Sequence, residues 1–407
     1  MIRVVHSTPV WLPQSHTWIW GQVRCLPPDR VEPLVVCERT EHLDQFAVPR
    51  LACLADAPRL RAMWDKGLRK LGVRRHTGFL VQQIRRAGAQ ILHSHFGSQG
   101  WTDSGAARRA AVRHVVSFYG ADASQLPTVE PAWRTRYAGL FRTCARVLCE
   151  GSHMARCLAA LGCPNEKIRV CHLGVDLERI PFLPRTRRPG EPLRILIAST
   201  FREKKGIPLA LEAVAVLRRT TPAEVTVIGD ATHEIASQKE GRRIRQTVAD
   251  CGLQGAVRFL GFRTYPEFMD EAYRNHVFMA ASVTAGDGDA EGGAPVALIE
   301  MAASGMPVVS TWHCDIPEIV ASGVSGLLAE ERDVRGLAQH LEWLATHTDQ
   351  WAVMAAAARR HIENEYCARR QGERLADIYA ELAWIAADRC GRPGQSATNH
   401  CELDPAC

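Results

Sequence analysis

Short runs of β-branched and other apolar residues alternate with helix-length segments of mixed polarity along most of the chain. In the first half these runs cover residues 3–6, 33–37, 90–93, 114–118, 146–149 and 168–172. In the second they cover residues 193–198, 224–228, 257–260, 276–281 and 307–311, with 326–328 as a candidate edge. Such runs, separated by helical segments, predict parallel sheets covered by helices. Residues 184–192 are charged, Pro-rich and free of periodicity, which predicts a linker. The expected architecture is α/β: two doubly wound Rossmann-like domains facing each other across a cleft, with ligands at the carboxyl ends of the strands. The expected domains are 1–183 and 193–388, the latter ending in helices from about 334. Residues 389–407 form a polar tail expected to be disordered.

At 407 residues the chain is long enough for two full cores, and its composition is that of an ordinary globular protein. No run approaches the ~18 apolar residues of a membrane span. The first residues read as a strand and not a signal peptide. The fourteen cysteines include no Cys-x-x-Cys pair and no zinc-like spacing, so they predict reduced thiols in a cytoplasmic protein. Charge is unevenly spread: residues 1–185 hold 26 Lys and Arg against 14 Asp and Glu, and the remainder 24 against 30. Arg59, Arg61, Lys66, Arg69, Lys70, Arg74 and Arg75 crowd one helix-like stretch with Trp64, Leu68 and Leu71. That stretch is either a docking face for an anionic membrane or lipid-linked substrate, or a solvated helix face. Nothing is spaced to read nucleic acid.

Candidate chemistry gathers in the second half. Gly286 to Gly293 is a loop of glycines and carboxylates, followed by Pro295 at an expected first helical position. A helix-prone segment follows, with Glu300 as its one charge and Gly305 as its stop. Strand, glycine loop and helix in that order aim N–H groups and a helix dipole at an anion, as a phosphate site does. Arg202, Lys204 and Lys205 precede Gly206 after the first strand of this half, which places them beside the same cleft. In the first half His93, His95, Tyr119 and Asp122 end strands that face it.

Together, Arg202-Glu-Lys-Lys-Gly206, Glu291-Gly with Pro295 and Glu300, Pro317-Glu318, and Glu150-Gly-Ser with Gly174-Val-Asp176 resemble the retaining glycosyltransferases of family 4. These have the two-domain GT-B fold and include enzymes of bacterial exopolysaccharides such as colanic acid. The resemblance implies that Lys205 holds the donor diphosphate. It implies that Glu300 binds the nucleotide ribose and Glu291 the hydroxyls of the transferred sugar, with the backbone of Gly292, Gly293 and Ala294 against that sugar or its phosphates. It further implies a nucleotide-sugar donor, a saccharide or lipid-linked acceptor, no cofactor and no metal. Cations and N–H groups then stabilise the leaving diphosphate.

Three positions depart from the family pattern. Eight residues separate Glu291 from Glu300 where seven are usual; Thr200 stands where an arginine is usual, with Arg202 as its candidate substitute; and Tyr119 replaces a histidine. Tyrosine donates hydrogen bonds but is a poor base near neutral pH. Asp287 and Asp289 read as turn formers and not cation ligands, and Lys204 as solvated beside a phosphate-facing Lys205. Asp122 reads as a helix cap or an acceptor contact, Glu318 as a nucleotide contact or a helix N-terminal charge. His95 is a sugar contact or a structural residue. Ser15, His16 and Thr17 border the acceptor or cap a helix. The expected activity is hexosyl transfer near the inner membrane face. The alternatives are a nucleotide-sugar epimerase of the same fold and a catalytically inactive sugar-nucleotide-binding protein.

Overall fold

Buried parallel strands need apolar residues on both faces, and the predicted runs supply them. In the computed structural model, which describes residues 1–13, 16–70 and 77–390, all twelve predicted runs contain strands. For residues 62, 65, 66, 68–70 and 385–390 only the helical backbone is described. The first half carries a seven-stranded parallel sheet. Its spatial order is Leu51–Cys53, Val31–Cys37, Ile2–Ser7, Ile91–His95, Arg113–Ser117, Arg146–Cys149 and Ile168–Val170. The second half carries a six-stranded parallel sheet: Val257–Gly261, Ala223–Ile228, Leu193–Ala198, Val277–Met279, Val308–Thr311 and, at the edge, Leu327–Ala329. Three short strands were not anticipated: Leu51–Cys53, and Val10–Trp11 paired with Arg39–Thr40. Two or three residues are too few to show a period.

In each sheet the strand order reverses once, between Ile2–Ser7 and Ile91–His95 in the first and between Leu193–Ala198 and Val277–Met279 in the second. Chains leave such neighbours in opposite directions, which opens a crevice at their carboxyl ends. Helix Ala368–Cys390, counted from sequence with the second half, packs back onto the first. Its Leu375, Ala376, Tyr379 and Leu382 share a core with Val4, Ile91, Val115 and Leu148. Sequence distance gave no sign of this, because the apolar stripe of a helix does not say which sheet it covers. Residues 391–407, and 71–76 of the basic stretch, lie outside the described residues.

The predicted linker is bound to the second half through Arg185. This guanidinium is 7% exposed and donates to Leu183 O, to Ser304 O (2.9 Å) and Oγ (3.0 Å), and to Asn275 O (3.3 Å). It also stacks 4.5 Å from the Tyr273 ring centroid. Removing a buried cation that satisfies several carbonyls leaves those carbonyls unpaired. Arg185→Met should therefore cost about 3 kcal/mol of stability, read as a lower urea midpoint. A loss under about 1 kcal/mol would refute this account.

Candidate active site

The site is built on the crevice of the second sheet. Strand Leu193–Ala198 leads into residues 199–206, and strand Val277–Met279 into residues 280–295. The first segment must turn hard against the second. Gly206 has φ +60°, and a Cβ there would lie 1.8 Å from the Ala281 carbonyl oxygen, so the turn admits only glycine. The Val283 N–H donates to Lys204 O at 2.9 Å and locks the segments together.

That turn delivers Lys205 Nζ to 2.7 Å from Glu291 Oε2. Ser282 Oγ donates to the other oxygen of Glu291 at 2.9 Å. The Glu291 N–H donates to His313 Nε2 at 3.2 Å, while His313 Nδ1 stands 2.6 Å from Glu331. A carboxylate partner requires the proton on Nδ1 and leaves Nε2 free to accept. Burial pushes the Glu291 carboxyl up, but Lys205 and Lys204 outweigh it and hold it at about 2.

Lys204 is not solvated as expected. Its Nζ donates to Asp289 Oδ1 and Ala290 O, both at 2.9 Å, because the loop folds over it. Asp289 is likewise buried, whereas Asp287 does form a turn, accepting from the Asp289 N–H at 3.0 Å and from Gln125 at 2.5 Å. Arg202 holds Glu234 through two 2.7 Å contacts and stands 3.8 Å from Asp289. Pro295 caps the helix Val296–Ala303 and is not its first residue. Among the described residues, no acceptor takes the N–H of Gly293 or Ala294. Glu300, on that helix, is partly accessible; burial raises its carboxyl to about 7, against a Tyr265 hydrogen bond and the Arg179 charge.

The first half meets this loop backbone to backbone. A Cβ on Gly120 would lie 2.4 Å from Glu291 O, and one on Gly292 would lie 2.3 Å from Gly120 Cα. Tyr119 points away from the loop: its hydroxyl lies 2.7 Å from His95 Nδ1 and donates to Gln22 Oε1 at 3.2 Å. His95 is fully buried, its Nε2 3.1 Å from His6 Nδ1. One tautomer satisfies this chain, with protons on Nδ1 of both histidines, and it leaves His6 Nε2 without a partner. His93 bridges Tyr379 (2.6 Å) and Ser117 (2.7 Å). Among the described residues, His6, His93 and His95 are close enough together to share a metal ion, whereas the Asp287 and Asp289 carboxyls are not part of such a group. Asp122 is a cap, but for the helix before it, accepting from the N–H groups of Gly97 (2.7 Å) and Tyr119 (3.0 Å).

Glu318 also sits at a helix N-terminus, and that helix belongs to the other half. Its Oε1 accepts from the Ser152 N–H at 2.9 Å and from the Ser152 hydroxyl. Asp315 accepts beside it from the His153 N–H at 2.6 Å. Helix Ser152–Ala160 is thus capped across the cleft. His16 precedes helix Thr17–Arg24 without a side-chain cap bond, and burial, with Arg202 nearby, lowers it to about 4. Ser15 lies outside the described residues. Sequence reading placed Glu150 in a motif without giving it a role, and passed over Ser282, His313 and Asp315. The last three have no local signal, since each matters through a partner distant in the chain.

Comparison with known proteins agrees with this geometry. Residues 16–179 match the profile of Glycosyltransferase Family 4, and residues 180–361 that of Glycosyl transferases group 1. The chain is 34% identical to the putative colanic acid biosynthesis glycosyltransferase WcaL of Escherichia coli over 72% of this chain and 71% of that protein. It is 35% identical to the amylovoran biosynthesis glycosyltransferase AmsK of Erwinia amylovora over 67% and 64%. Among solved structures, Anabaena HepE in complex with UDP and glucose superposes with TM-score 0.74 at 17% identity, covering 94% of this chain and all of that one. Sucrose-phosphate synthase of Thermosynechococcus elongatus gives 0.77 at 15%, covering 95% and 100%. The paired sheets, the crevice and the sequence matches together make the chain a GT-B glycosyltransferase of the group 1 and family 4 type.

Proposed function

We propose that this enzyme transfers a sugar, with retention, from a nucleotide diphosphate sugar to a growing lipid-linked saccharide of an exopolysaccharide. The observation that carries the reading is the Lys205–Glu291 pair beside the unclaimed N–H groups of Gly293 and Ala294, at the carboxyl end of the donor-side sheet. The names of the colanic acid and amylovoran relatives support the product class. In the reaction, the bond from the anomeric carbon to the phosphate oxygen breaks as the acceptor oxygen bonds to the same face. The acceptor proton passes to a phosphate oxygen, and the nucleoside diphosphate leaves. Lys205 and the loop N–H groups stabilise the charge that grows on the diphosphate, a task that a metal ion performs in other transferases. Glu291 orients hydroxyls of the sugar and Glu300 those of the ribose. Arg202 gives up Glu234 for a phosphate.

The acceptor side is read as meeting an anionic membrane. On helix Arg59–Lys70, Leu60, Met63 and Trp64 are 83%, 68% and 63% exposed, at a spacing that lines one face. Such a face among basic residues suits the boundary between head groups and acyl chains. No helix among the described residues is long and apolar enough to cross a membrane.

Three outcomes follow. Lys205→Ala and Glu300→Ala should each lower transfer by at least about a hundredfold while the protein stays folded; full activity in either sinks the assignment. Glu300 carries a pH signature. Its carboxyl, raised from 4.5 to about 7, holds a proton more tightly in the fold than in the unfolded chain, so stability falls as pH rises through that window. Glu300→Gln should gain up to about 3 kcal/mol at pH 8, and should abolish the roughly tenfold loss of donor affinity per pH unit expected below the carboxyl's pKa. A wild-type affinity that is flat between about pH 5 and 8 would contradict the ribose role. Finally, changing Leu60, Met63 and Trp64 together to Ser should cut co-sedimentation with phosphatidylglycerol vesicles at least about tenfold, and unchanged binding removes the membrane reading.

A further inference from the structure

Glu150 directly follows strand Arg146–Cys149, at the carboxyl end of the first sheet, and faces the donor loop across the cleft. A Cβ on Gly293 would lie 1.8 Å from Glu150 Oε2, so the carboxyl presses against the loop backbone. Its backbone carbonyl accepts from His172 Nδ1 at 2.7 Å, but among the described residues nothing bonds its carboxyl. The neighbouring carboxyls each have at least one partner, although the second oxygen of Asp315 has none. Asp122 accepts from Gly97 and Tyr119, Glu291 from Lys205 and Ser282, and Asp315 from His153. Glu150 is only half-buried, so its oxygens open on the cleft. Burial, reinforced by Asp315, Asp122 and Glu291, pushes this carboxyl well above the usual range, with Lys204 opposing. An unpartnered carboxyl has two oxygens to offer, one of which becomes a donor whenever it carries a proton.

We propose that Glu150 determines donor-sugar specificity by hydrogen-bonding hydroxyls of the transferred sugar from the first-half wall, opposite Glu291. The inference rests on the reading that the sugar lies against Gly292, Gly293 and Ala294. The chemistry fits a neutral sugar carrying two adjacent hydroxyls, one for each carboxyl oxygen. A sugar with one of them inverted loses a bond and leaves a buried polar atom unpaired, the condition under which sites discriminate strongly.

The test uses the full chain and measures affinities of UDP-glucose, UDP-galactose, UDP-N-acetylglucosamine, GDP-mannose, UDP and GDP by calorimetry. Wild type should prefer one sugar. Glu150→Gln and Glu150→Leu should keep the affinity for the bare nucleotide within about twofold, yet change the preference between epimeric sugars at least about tenfold. Lys205→Ala should instead lose affinity for the bare nucleotide. Unchanged sugar preference in the Glu150 variants overturns the inference and leaves the donor site standing. Loss of bare-nucleotide affinity in the Gln variant marks a structural role and also overturns it. If wild type binds no nucleotide sugar on the panel, the donor-site reading fails and the inference falls with it.

Discussion

Glu291 stays ionised inside the protein because Lys205 and Lys204 stand against it. Breaking a buried pair on one side costs about 3–5 kcal/mol, because the remaining charge has no compensation. The surroundings serve this constraint. Gly206 permits the turn that brings Lys205 in, Ser282 satisfies the second oxygen, and His313, held by Glu331, anchors the backbone. Such a pair also suits exchange. On the proposed reading a diphosphate takes over the cation, and sugar hydroxyls take over the carboxylate.

The halves are joined at this place by contacts of a particular kind. Backbone meets backbone at Gly120 and Gly292, and carboxylates of the second half cap a helix of the first. Apolar contact is present too, since Val296 packs against the first-half cluster that holds Tyr119 and Leu173. Arg185 and the last helix hold the chain at the hinge side, the former bound to the second half and the latter to the first.

Acids crowd that cleft, and their states differ by neighbour. Glu291 is held low by two lysines, whereas Glu300 and Glu150 are raised by burial without an equal cation beside them. Three residues of one type thus differ in how tightly each holds a proton, Glu291 least and Glu300 and Glu150 more than a free carboxyl.

The sequence determined the sheets, because strands buried on both faces are mostly apolar, and all twelve such runs contain strands. It also marked the glycine loop and the Lys-Gly turn, since proline and glycine limit the backbone wherever they stand. Only the tertiary structure decided the rest. The Lys205–Glu291 pair joins residues 86 apart, and Lys204, read as solvated, lies beneath the loop. Glu318 caps a helix of the other half, and the last helix crosses back to the first sheet. Glu150 carries no mark of its state in its neighbours along the chain. Backbone preference is a local property that sequence records, whereas ionisation and burial belong to pairs of residues that only folding brings together.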